Sequence, residues 1–297
     1  MTSSLGNEQI PIVLPSADSS ALLSARGVQL LRRLREWAES MGPDFAPQVT
    51  EAAALALAAS APWSTADELV PPAKVGLWMQ VADDRFDRAS LEYRDVPALA
   101  QRCIHLAHGA GHDPADTLER ALADVTSSLS DCRLHAALAP LWAQRFSLMM
   151  RAWCFEWSAL RALAEGGAPI ELDTYLQHHH SFGLGPICVA WWMSTGEPDL
   201  TAHLDILLPA VDAMELAVRL ANDLRTADRE HHYGGSVNAL LLGADQQDID
   251  TLINRQLQHC HVLLRPLTDK GLRTAIALGR MADWLVTFYR VTDARLP

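Results

Sequence analysis

Residues 214–230 read MELAVRLANDLRTADRE, a stretch that combines a helical core pattern with a change in side-chain chemistry. Apolar residues recur in its first half at helical spacing, and the same stripe continues into Asn222, Thr226 and Glu230. Residues four apart share one face of an α-helix, so these three side chains would point their oxygen atoms the same way. Polar groups that extend a core stripe are costly to bury unless something binds them. The stretch predicts a long helix with a ligand site at its C-terminal end, and a solvated helix end is the alternative.

A second acidic motif, residues 83–87, reads Asp-Asp-Arg-Phe-Asp and also lies in a helical pattern. Its apolar neighbours are Leu77, Trp78, Val81, Ala82 and Phe86. Asp83 and Asp87 would share a helix face, with Asp84 about 100° round the helix. Such a motif alone is compatible with a solvated acidic face. Two oxygen-rich helix faces together favour a Mg²⁺ cluster, because Mg²⁺ prefers oxygen ligands and substrate phosphate, and they indicate an enzyme acting on a diphosphate.

The composition excludes a nucleic-acid partner. The 297 residues are 49% hydrophobic and 20% charged, with a formal net charge of −12. A nucleic-acid surface needs concentrated Lys and Arg, which this chain lacks. An acidic protein can still bind an anionic substrate where a divalent metal inverts the local charge.

Cysteine usage and the N-terminal residues indicate a cytoplasmic protein. The 5 cysteines are scattered and form no Cys-x-x-Cys pair, which predicts buried free thiols in a reducing compartment. The first residues lack the basic start and apolar run of a signal peptide. No apolar stretch reaches the roughly 18–20 residues that a membrane span needs.

Helical spacing continues along most of the chain, whereas alternating β-branched runs are scarce. The third helix is predicted to begin at Pro71-Pro72 and to carry Asp83. The other predicted helices cover about 19–41, 47–60, 97–110, 115–129, 133–166, 171–182, 186–195, 203–230, 246–268 and 271–292. The Gly and Pro breaks between them are short, and no linker divides the chain. The prediction is an all-α fold with a flexible tail at 1–18 and one helical domain at 19–297.

The two motifs resemble those of class I terpene synthases, where an aspartate-rich motif and an Asn/Asp-Asp-x-x-Ser/Thr-x-x-x-Glu motif hold three Mg²⁺ ions against the substrate diphosphate. The resemblance implies a single helical bundle around a central active-site cavity. The ligands that it implies are Asp83 and Asp87 for two ions, and Asn222, Thr226 and Glu230 for the third. Asp84 and Asp223 would support these ligands.

Further segments resemble the labdane-related, kaurene-synthase-like branch of that family. Residues 181–187, SFGLGPI, are similar to the Ser-Phe-Ala-Leu-Gly-Pro-Ile stretch of plant kaurene synthases, and residues 238–240 and Arg219 also have counterparts there. The resemblance covers about 70–295 and implies a bacterial diterpene synthase acting on a bicyclic copalyl-type diphosphate. The Asp-x-Asp-Asp motif of class II cyclases is absent from the sequence, so a separate class II cyclase would supply that substrate.

The chain departs from many bacterial sesquiterpene synthases in the residues expected to contact the diphosphate. Their diphosphate-sensing arginine, four residues after the tyrosine that corresponds to Tyr175, is replaced by His179. Their C-terminal Arg-Tyr pair is replaced by Arg295-Leu296. The candidates for diphosphate contact are Arg219 first, then Arg225, Arg290 and Arg295, together with His179. In the tract 178–180, three consecutive histidines would point in three directions, so a shared metal is not expected.

Aromatic side chains and a helix break are expected to shape the apolar part of the site. The aromatic candidates are Trp78, Phe86 and Phe182 by proximity to the motifs, whereas Trp153, Trp157, Trp191, Trp192 and Trp284 are more typical of core. Pro186 disfavours helix in the residue before it, and Gly183 and Gly185 flank Leu184 there. We therefore expect the helix from about Leu172 to break here and to turn carbonyl oxygens toward the substrate, with Gly183 and Leu184 in contact with it.

Three alternatives remain open from the sequence. The first is a sesquiterpene or other cyclase of linear prenyl diphosphates, and the second is an isoprenyl diphosphate chain-elongating synthase. The latter would carry a second aspartate-rich motif where this chain has Asn222 to Glu230. The third is a non-catalytic helical interaction module. Quenching of the final cation by proton loss or by water is also open, as is assembly into a homodimer.

Overall fold

The computed structural model describes residues 16–45, 50–91, 96–110, 114, 116–233 and 237–292. These residues form α-helices joined by short turns, and no strand occurs among them. The helices are α1 Ala17–Met41, α2 Thr50–Ser60, α3 Ala66–Leu91, α4 Val96–Ala107, α5 Thr117–Ser130, α6 His135–Ala164, α7 Leu172–Gln177, α8 Leu184–Thr195, α9 Leu204–Tyr233, α10 Gln246–Thr268 and α11 Arg273–Val291. The predicted all-α fold is confirmed.

The start of α3 differs from the sequence prediction, because the helix begins more than one turn before the two prolines. Thr65 and Glu68 form a capping box, in which the Glu68 N–H donates to Thr65 Oγ1 at 3.2 Å and the Thr65 N–H donates to Glu68 Oε2 at 2.7 Å. Pro72 has no N–H to donate to the carbonyl of Glu68. The hydroxyl of Ser194 on α8 donates to that carbonyl at 2.7 Å instead, so the prolines are accommodated inside the helix.

The central helix of the bundle is α8. It is buried along most of its length, and Trp191 and Trp192 are 2% and 0% exposed. Helices α3, α6 and α9 pack around it, which covers its apolar faces. In the outer layer, α10 and α11 pack on α9, while α1 and α2 pack on α3. The two helices that carry the acidic and oxygen-rich motifs therefore flank the same central helix.

The connection between α7 and α8 is irregular, and we call residues 178–183 the break. α7 ends at Gln177, earlier than the helical pattern predicted, and a 3₁₀ turn follows over His179–Phe182. Gly183 has a φ of +78°, in the left-handed region that glycine tolerates best, and it caps the start of α8. Pro186 then falls in the first turn of α8, where a missing N–H removes no helical hydrogen bond.

The cysteines are all free thiols. Cys103, Cys188 and Cys260 are buried, which confirms the predicted burial for these three, while Cys132 and Cys154 are half-buried. Burial raises the pKa of Cys103 and Cys260 to about 12, so these thiols stay protonated. None of the helices in the described ranges is long and apolar enough to cross a bilayer.

Candidate active site

The oxygen side chains predicted on α9 lie along one face of that helix, at the end of its buried stripe. Thr226 is fully buried, whereas Asn222 and Glu230 are half-buried. The Thr226 hydroxyl donates to the backbone carbonyl of Asn222 at 2.9 Å. Because a hydroxyl has one proton and two lone pairs, this oxygen retains its capacity to coordinate a cation.

The loop after α9 holds Glu230 in place through Asn238, which is completely buried. Asn238 Nδ2 donates at 3.0 Å both to Glu230 Oε2 and to the backbone carbonyl of Asp223. Its Oδ1 accepts the N–H of Leu240 at 2.9 Å, which fixes the orientation of the amide. The sequence marked Asn238 only through a resemblance, and the structure gives it a contact with a predicted metal ligand.

On α3, the acidic motif lies at the edge of the core. Asp83 and Asp84 are half-buried and Phe86 is buried. Arg85 extends to Asp116 at the start of α5, with a 2.6 Å ion pair. Asp87 lies within α3, but its side chain falls outside the described residues.

One turn of α6 contacts both motif helices. Phe86 stands between Asp84 and Asp87 in the sequence of α3, and the centre of its ring lies 5.0 Å from that of Trp153. Three residues further along α6, Glu156 accepts a hydrogen bond from Arg219, which precedes Asn222 by one turn of α9. Three residues of α-helix rise only about 4.5 Å. The two motif helices therefore meet the same part of α6.

Arg219 is buried within a network that joins α6, α7 and α9. Its Nε donates to the Tyr175 hydroxyl at 2.9 Å, its guanidinium lies 4.3 Å from the centre of the Tyr175 ring, and its Nη2 pairs with Glu156. Tyr175 in turn donates to Asp223 Oδ2, which also accepts the N–H of Ala239 at 3.0 Å. The sequence singled out Arg219 but missed Glu156, because nothing in the spacing of these residues indicates the contact.

Burial and neighbouring charges oppose each other in this network. Burial lowers the pKa of the Arg219 guanidinium, but Glu156, Tyr175 and Asp223 raise it further, so the net pKa is raised and Arg219 stays cationic. Burial raises the pKa of the Asp223 carboxyl to about 7, although Arg219 and the hydrogen bonds from Tyr175 and Ala239 act in the opposite direction. A single buried cation therefore sits between two acidic side chains beside the α9 motif.

Two of the other cations proposed for the diphosphate, Arg225 and Arg290, lie apart from this network. Arg225 is exposed on α9. Arg290 is exposed on α11 and donates to Asp250 at 2.7 Å and to Asn254 at 2.9 Å. Arg295 and the side chain of His179 lie outside the described residues.

The break is closely packed against α3 and α6. A Cβ on Gly183 would lie 1.9 Å from Met79 Cε and 2.7 Å from Met149 Sδ, so the backbone closely approaches both side chains and a larger residue would require them to shift. Met79 is one helical turn before Asp83 on α3. The ring of Phe182 makes an edge contact with that of Tyr289 on α11 at 5.8 Å. The break therefore lies next to the helix that carries the acidic motif.

His178 and His180 have separate partners. His178 stacks on Phe155 at 3.6 Å between ring centres, and its Nδ1 lies 2.8 Å from the carbonyl of Thr174. His180 instead faces Glu215 on α9, with 3.1 Å between Nδ1 and Oε2. These two imidazoles do not share a ligand site.

The aromatic candidates divide between core and site. Trp78 is fully buried, packs 5.3 Å from Phe146, and donates its indole N–H to the carbonyl of Leu118 at 2.9 Å. Phe86 is buried beside the acidic motif, and Phe182 is half-buried at the break. The remaining Trp residues have these surroundings: Trp153 is buried against Phe86, Trp157 is half-buried under Arg161, Trp191 and Trp192 are in α8, and Trp284 stacks on Phe288. Phe86 and Phe182 are thus the candidates nearest to the predicted ligands and the break.

The residues present fit a hard divalent cation. The side chains at 222, 226 and 230 of α9 offer amide, hydroxyl and carboxylate oxygen, and those at 83 and 84 of α3 offer carboxylates. Hard ions such as Mg²⁺ prefer this donor set to nitrogen or sulfur. The hydrogen bond from Asn238 to Glu230 is the kind of outer contact that orients a metal ligand.

Comparison with known proteins gives consistent matches. A family model described as terpene synthase family 2, C-terminal metal binding, matches residues 74–251, which include both motifs. The ent-pimara-9(11),15-diene synthase of Streptomyces sp. strain KO-3988 is 30% identical over 271 residues, covering 90% of this chain and 91% of that protein.

Solved structures share the fold at lower identity. Linalool/nerolidol synthase from Streptomyces clavuligerus, in complex with 2-fluorogeranyl diphosphate, has a TM-score of 0.69 at 19% identity, covering 89% of this chain and 94% of its own. The 2-methylisoborneol synthase of Streptomyces coelicolor A3(2) has a TM-score of 0.68 at 16% identity, covering 92% of each chain.

Proposed function

Because the chain belongs to terpene synthase family 2, the family with a C-terminal metal-binding domain, we propose that it is a class I diterpene synthase. The enzyme is a lyase that uses a divalent metal and a prenyl diphosphate. The proposed substrate is a C20 diphosphate, with a bicyclic copalyl-type compound preferred. Cleavage of its C–O bond releases diphosphate and leaves an allylic cation, which rearranges or cyclises before it loses a proton or takes up water.

The C20 substrate is supported by the relative that covers 90% of the chain, which is named as the synthase of a pimaradiene, a diterpene. The bicyclic form is supported by residues 181–187 and by Arg219, where the sequence resembles kaurene synthases. A bicyclic diphosphate must itself be made by protonation of an alkene in a linear C20 diphosphate. We therefore propose a separate class II cyclase as the source of the substrate.

The observation that carries the ionisation step is the oxygen-bearing face of α9, with buried Thr226 and with Glu230 held by Asn238. The side chains proposed to hold three Mg²⁺ ions are Asp83, Asp87, Asn222, Thr226 and Glu230, with Asp84 and Asp223 in support. Bound Mg²⁺ supplies Lewis-acid stabilisation of the charge that develops on the leaving diphosphate.

The protein itself supplies one fixed cation, an apolar environment and the shape of the site. Arg219 keeps its charge beside the α9 motif but is paired with Glu156, so it is proposed to assist diphosphate binding together with the bound metal ions. Phe86 and Phe182 offer aromatic faces, whose quadrupoles stabilise cationic carbon. Apolar walls exclude the water that would otherwise capture the cation early. Backbone carbonyls at Gly183 and Leu184 are proposed to face the reacting carbons.

Incubation of the purified protein and Mg²⁺ with linear and bicyclic diphosphates from C10 to C20 tests the substrate. The bicyclic C20 compounds should have the highest kcat/KM, measured by diphosphate release and by mass spectrometry of the products. Efficient conversion of farnesyl diphosphate with bicyclic compounds left untouched would show a sesquiterpene synthase instead. An elongated product in the presence of isopentenyl diphosphate would show a chain-elongating enzyme.

Substitution of the predicted ligands tests the site. Asp83→Asn and Asn222→Ala should each lower diphosphate release by about a hundredfold or more, because an interaction made in the transition state is lost, while circular dichroism stays unchanged. Asp228→Asn, on an exposed part of the same α9 helix, is the matched control and should keep activity. Full activity in both ligand variants would remove the metal-cluster assignment.

A further inference from the structure

One buried carboxylate of α9 contacts both ends of the junction between the break and α8. Glu215 is 1% exposed. Its Oε1 accepts the backbone N–H of Leu184 at 2.7 Å, and its Oε2 lies 3.1 Å from Nδ1 of His180. In the sequence, His180 precedes Gly183 and Leu184 follows it, so the Glu215 side chain bridges the junction between the 3₁₀ turn and α8.

We propose that Glu215 is a positioning residue that fixes the backbone of the break and thereby biases which carbocation forms. The inference rests on the proposed function, which puts backbone carbonyls of the break beside the reacting carbons. Carbonyl dipoles stabilise developing charge only when they are already aimed at it. A contact that fixes the turn therefore also fixes where positive charge is stabilised.

The position of Glu215 on α9 connects the break to the predicted metal ligands. Arg219 follows Glu215 after four residues, and Asn222 follows after three more, so all three share one face of the helix. This face continues to the oxygen side chains at 226 and 230. One straight stretch of helix therefore sets the distance between the part of the site that would hold the diphosphate and the break that would face the carbon skeleton.

The same cluster resembles a small metal site, but its potential ligand atoms already have partners. His180, Asp212 and Glu215 have potential ligand atoms within 4.8 Å of one another. The guanidinium of Arg145 on α6 pairs with Asp212, and one oxygen of Glu215 is occupied by the Leu184 N–H. A resident cation and a backbone donor thus take the places that a metal would need, and the cluster serves to hold the break.

The aliphatic part of the Arg145 side chain also packs against the start of α8. A Cβ on Gly185 would lie 3.3 Å from Arg145 Cδ, so the arginine side chain lies along the first turn of α8. Its head group reaches Asp212, one turn before Glu215 on α9. At the start of α8, Glu215 therefore accepts the N–H of Leu184, and the side chain of Arg145 packs against the backbone at Gly185.

The test compares two carboxylates that cap helices in the same way. Glu215→Leu removes both hydrogen bonds at the break, whereas Glu215→Gln retains an oxygen that can accept the Leu184 N–H. Glu197→Leu is the matched control, because Glu197 accepts the N–H groups of Arg273 and Thr274 at the start of α11, at the far end of α8. Hydrogen exchange of the Leu184 amide and the product ratio are measured for each variant.

In Glu215→Leu, the Leu184 amide should lose protection and the ratio of major to minor products should change about fivefold or more, since a buried donor is left unsatisfied. Glu215→Gln should restore both values close to the wild type, and Glu197→Leu should leave the product ratio unchanged. An unchanged ratio in Glu215→Leu with an unprotected amide would overturn the proposal, as would an equal change in Glu197→Leu.

A second variant covers the case in which Glu215→Leu does not fold. His180→Ala removes one of the two contacts and leaves the carboxylate bonded to Leu184. It should shift the product ratio by a smaller factor, and a wild-type ratio would overturn the proposal. If the wild-type protein releases diphosphate from none of the substrates, the proposed function is refuted instead. Hydrogen exchange of the Leu184 amide can be measured without any enzymatic activity, so the two failures can be distinguished.

Discussion

At the scale of single residues, Asn238 shows how a buried amide can prepare a metal ligand. It donates to Glu230 at 3.0 Å and is itself held by Leu240, so the Glu230 carboxylate is oriented before any ion arrives. Outer contacts of this kind commonly change metal affinity by about 10–100-fold when they are removed. The residue is therefore expected to act on metal binding while the helix stays intact.

We predict that Asn238→Ala raises the Mg²⁺ concentration needed for half-maximal diphosphate release by about tenfold or more. The measurement is a Mg²⁺ titration at saturating substrate. Gln258→Ala removes an exposed side-chain amide from α10 and should leave the titration curve unchanged. Equal Mg²⁺ requirements in Asn238→Ala and the wild type would show that this contact does not orient the ligand.

Asp223 leads to a prediction about pH. Burial raises the pKa of its carboxyl from 3.8 to about 7, so between these values the folded protein holds a proton that the unfolded chain has released. The free energy of unfolding of the metal-free protein should therefore fall as pH rises through this window. Urea unfolding at several pH values measures it. Asp223→Asn cannot titrate, so its curve should lack this part of the decline; an identical decline in both proteins would contradict the prediction.

The candidate ligands could be predicted from the sequence because oxygen side chains at 222, 226 and 230 interrupt an apolar helical stripe. Their supporting partners could not. Arg219 forms hydrogen bonds with Tyr175, which is 44 residues away in the sequence, and with Glu156, which is 63 residues away. Such contacts form only when separate helices pack, and local periodicity carries no information about them.

At the scale of elements, helical spacing and the Gly and Pro residues predicted most helix positions. They failed where a side chain of another helix supplies a hydrogen bond that the local sequence cannot. The proline pair was expected to start α3, whereas the helix starts earlier because Ser194 donates to the carbonyl that Pro72 leaves without a donor. The break was expected around Gly183 to Pro186 and occurs slightly earlier, at 178–183. There the Leu184 N–H finds an acceptor in Glu215, which lies on another helix.

Gly183 gives a prediction at this scale. Alanine at its φ of +78° would be strained by about 1–2 kcal/mol, and its Cβ would overlap Met79, which adds about 1–3 kcal/mol of overpacking. Gly271→Ala has a similar φ of +77° with nothing within 4 Å of the added Cβ, so it should show the strain alone. Urea unfolding compares the two variants, and equal losses of stability would mean that Met79 and Met149 yield without cost. Gly183→Ala is therefore a poor probe of steering, and Leu184 or Glu215 is a better one.

At the scale of the whole molecule, the helices are held by an apolar core that is continuous through the described helices. The candidate metal ligands are not part of this apolar core, so metal is not needed to assemble it. The chain also carries a formal net charge of −12, which disfavours an anionic substrate unless cations accompany it. Folding and substrate binding should therefore respond differently to metal.

We predict that chelation of metal leaves the helical content and melting temperature of the protein unchanged, whereas Mg²⁺ and inorganic diphosphate together raise the melting temperature. A ligand at a hundred times its Kd stabilises the folded state by about 2.7 kcal/mol, which corresponds to roughly 4 °C for a chain of 297 residues. Diphosphate alone should give little shift, because the site offers mainly carboxylates until the ions arrive. Asp83→Asn and Asn222→Ala should melt like the wild type without ligands but lose the joint shift. A full shift with diphosphate alone, or an undiminished one in both variants, would place the anion site elsewhere in the molecule.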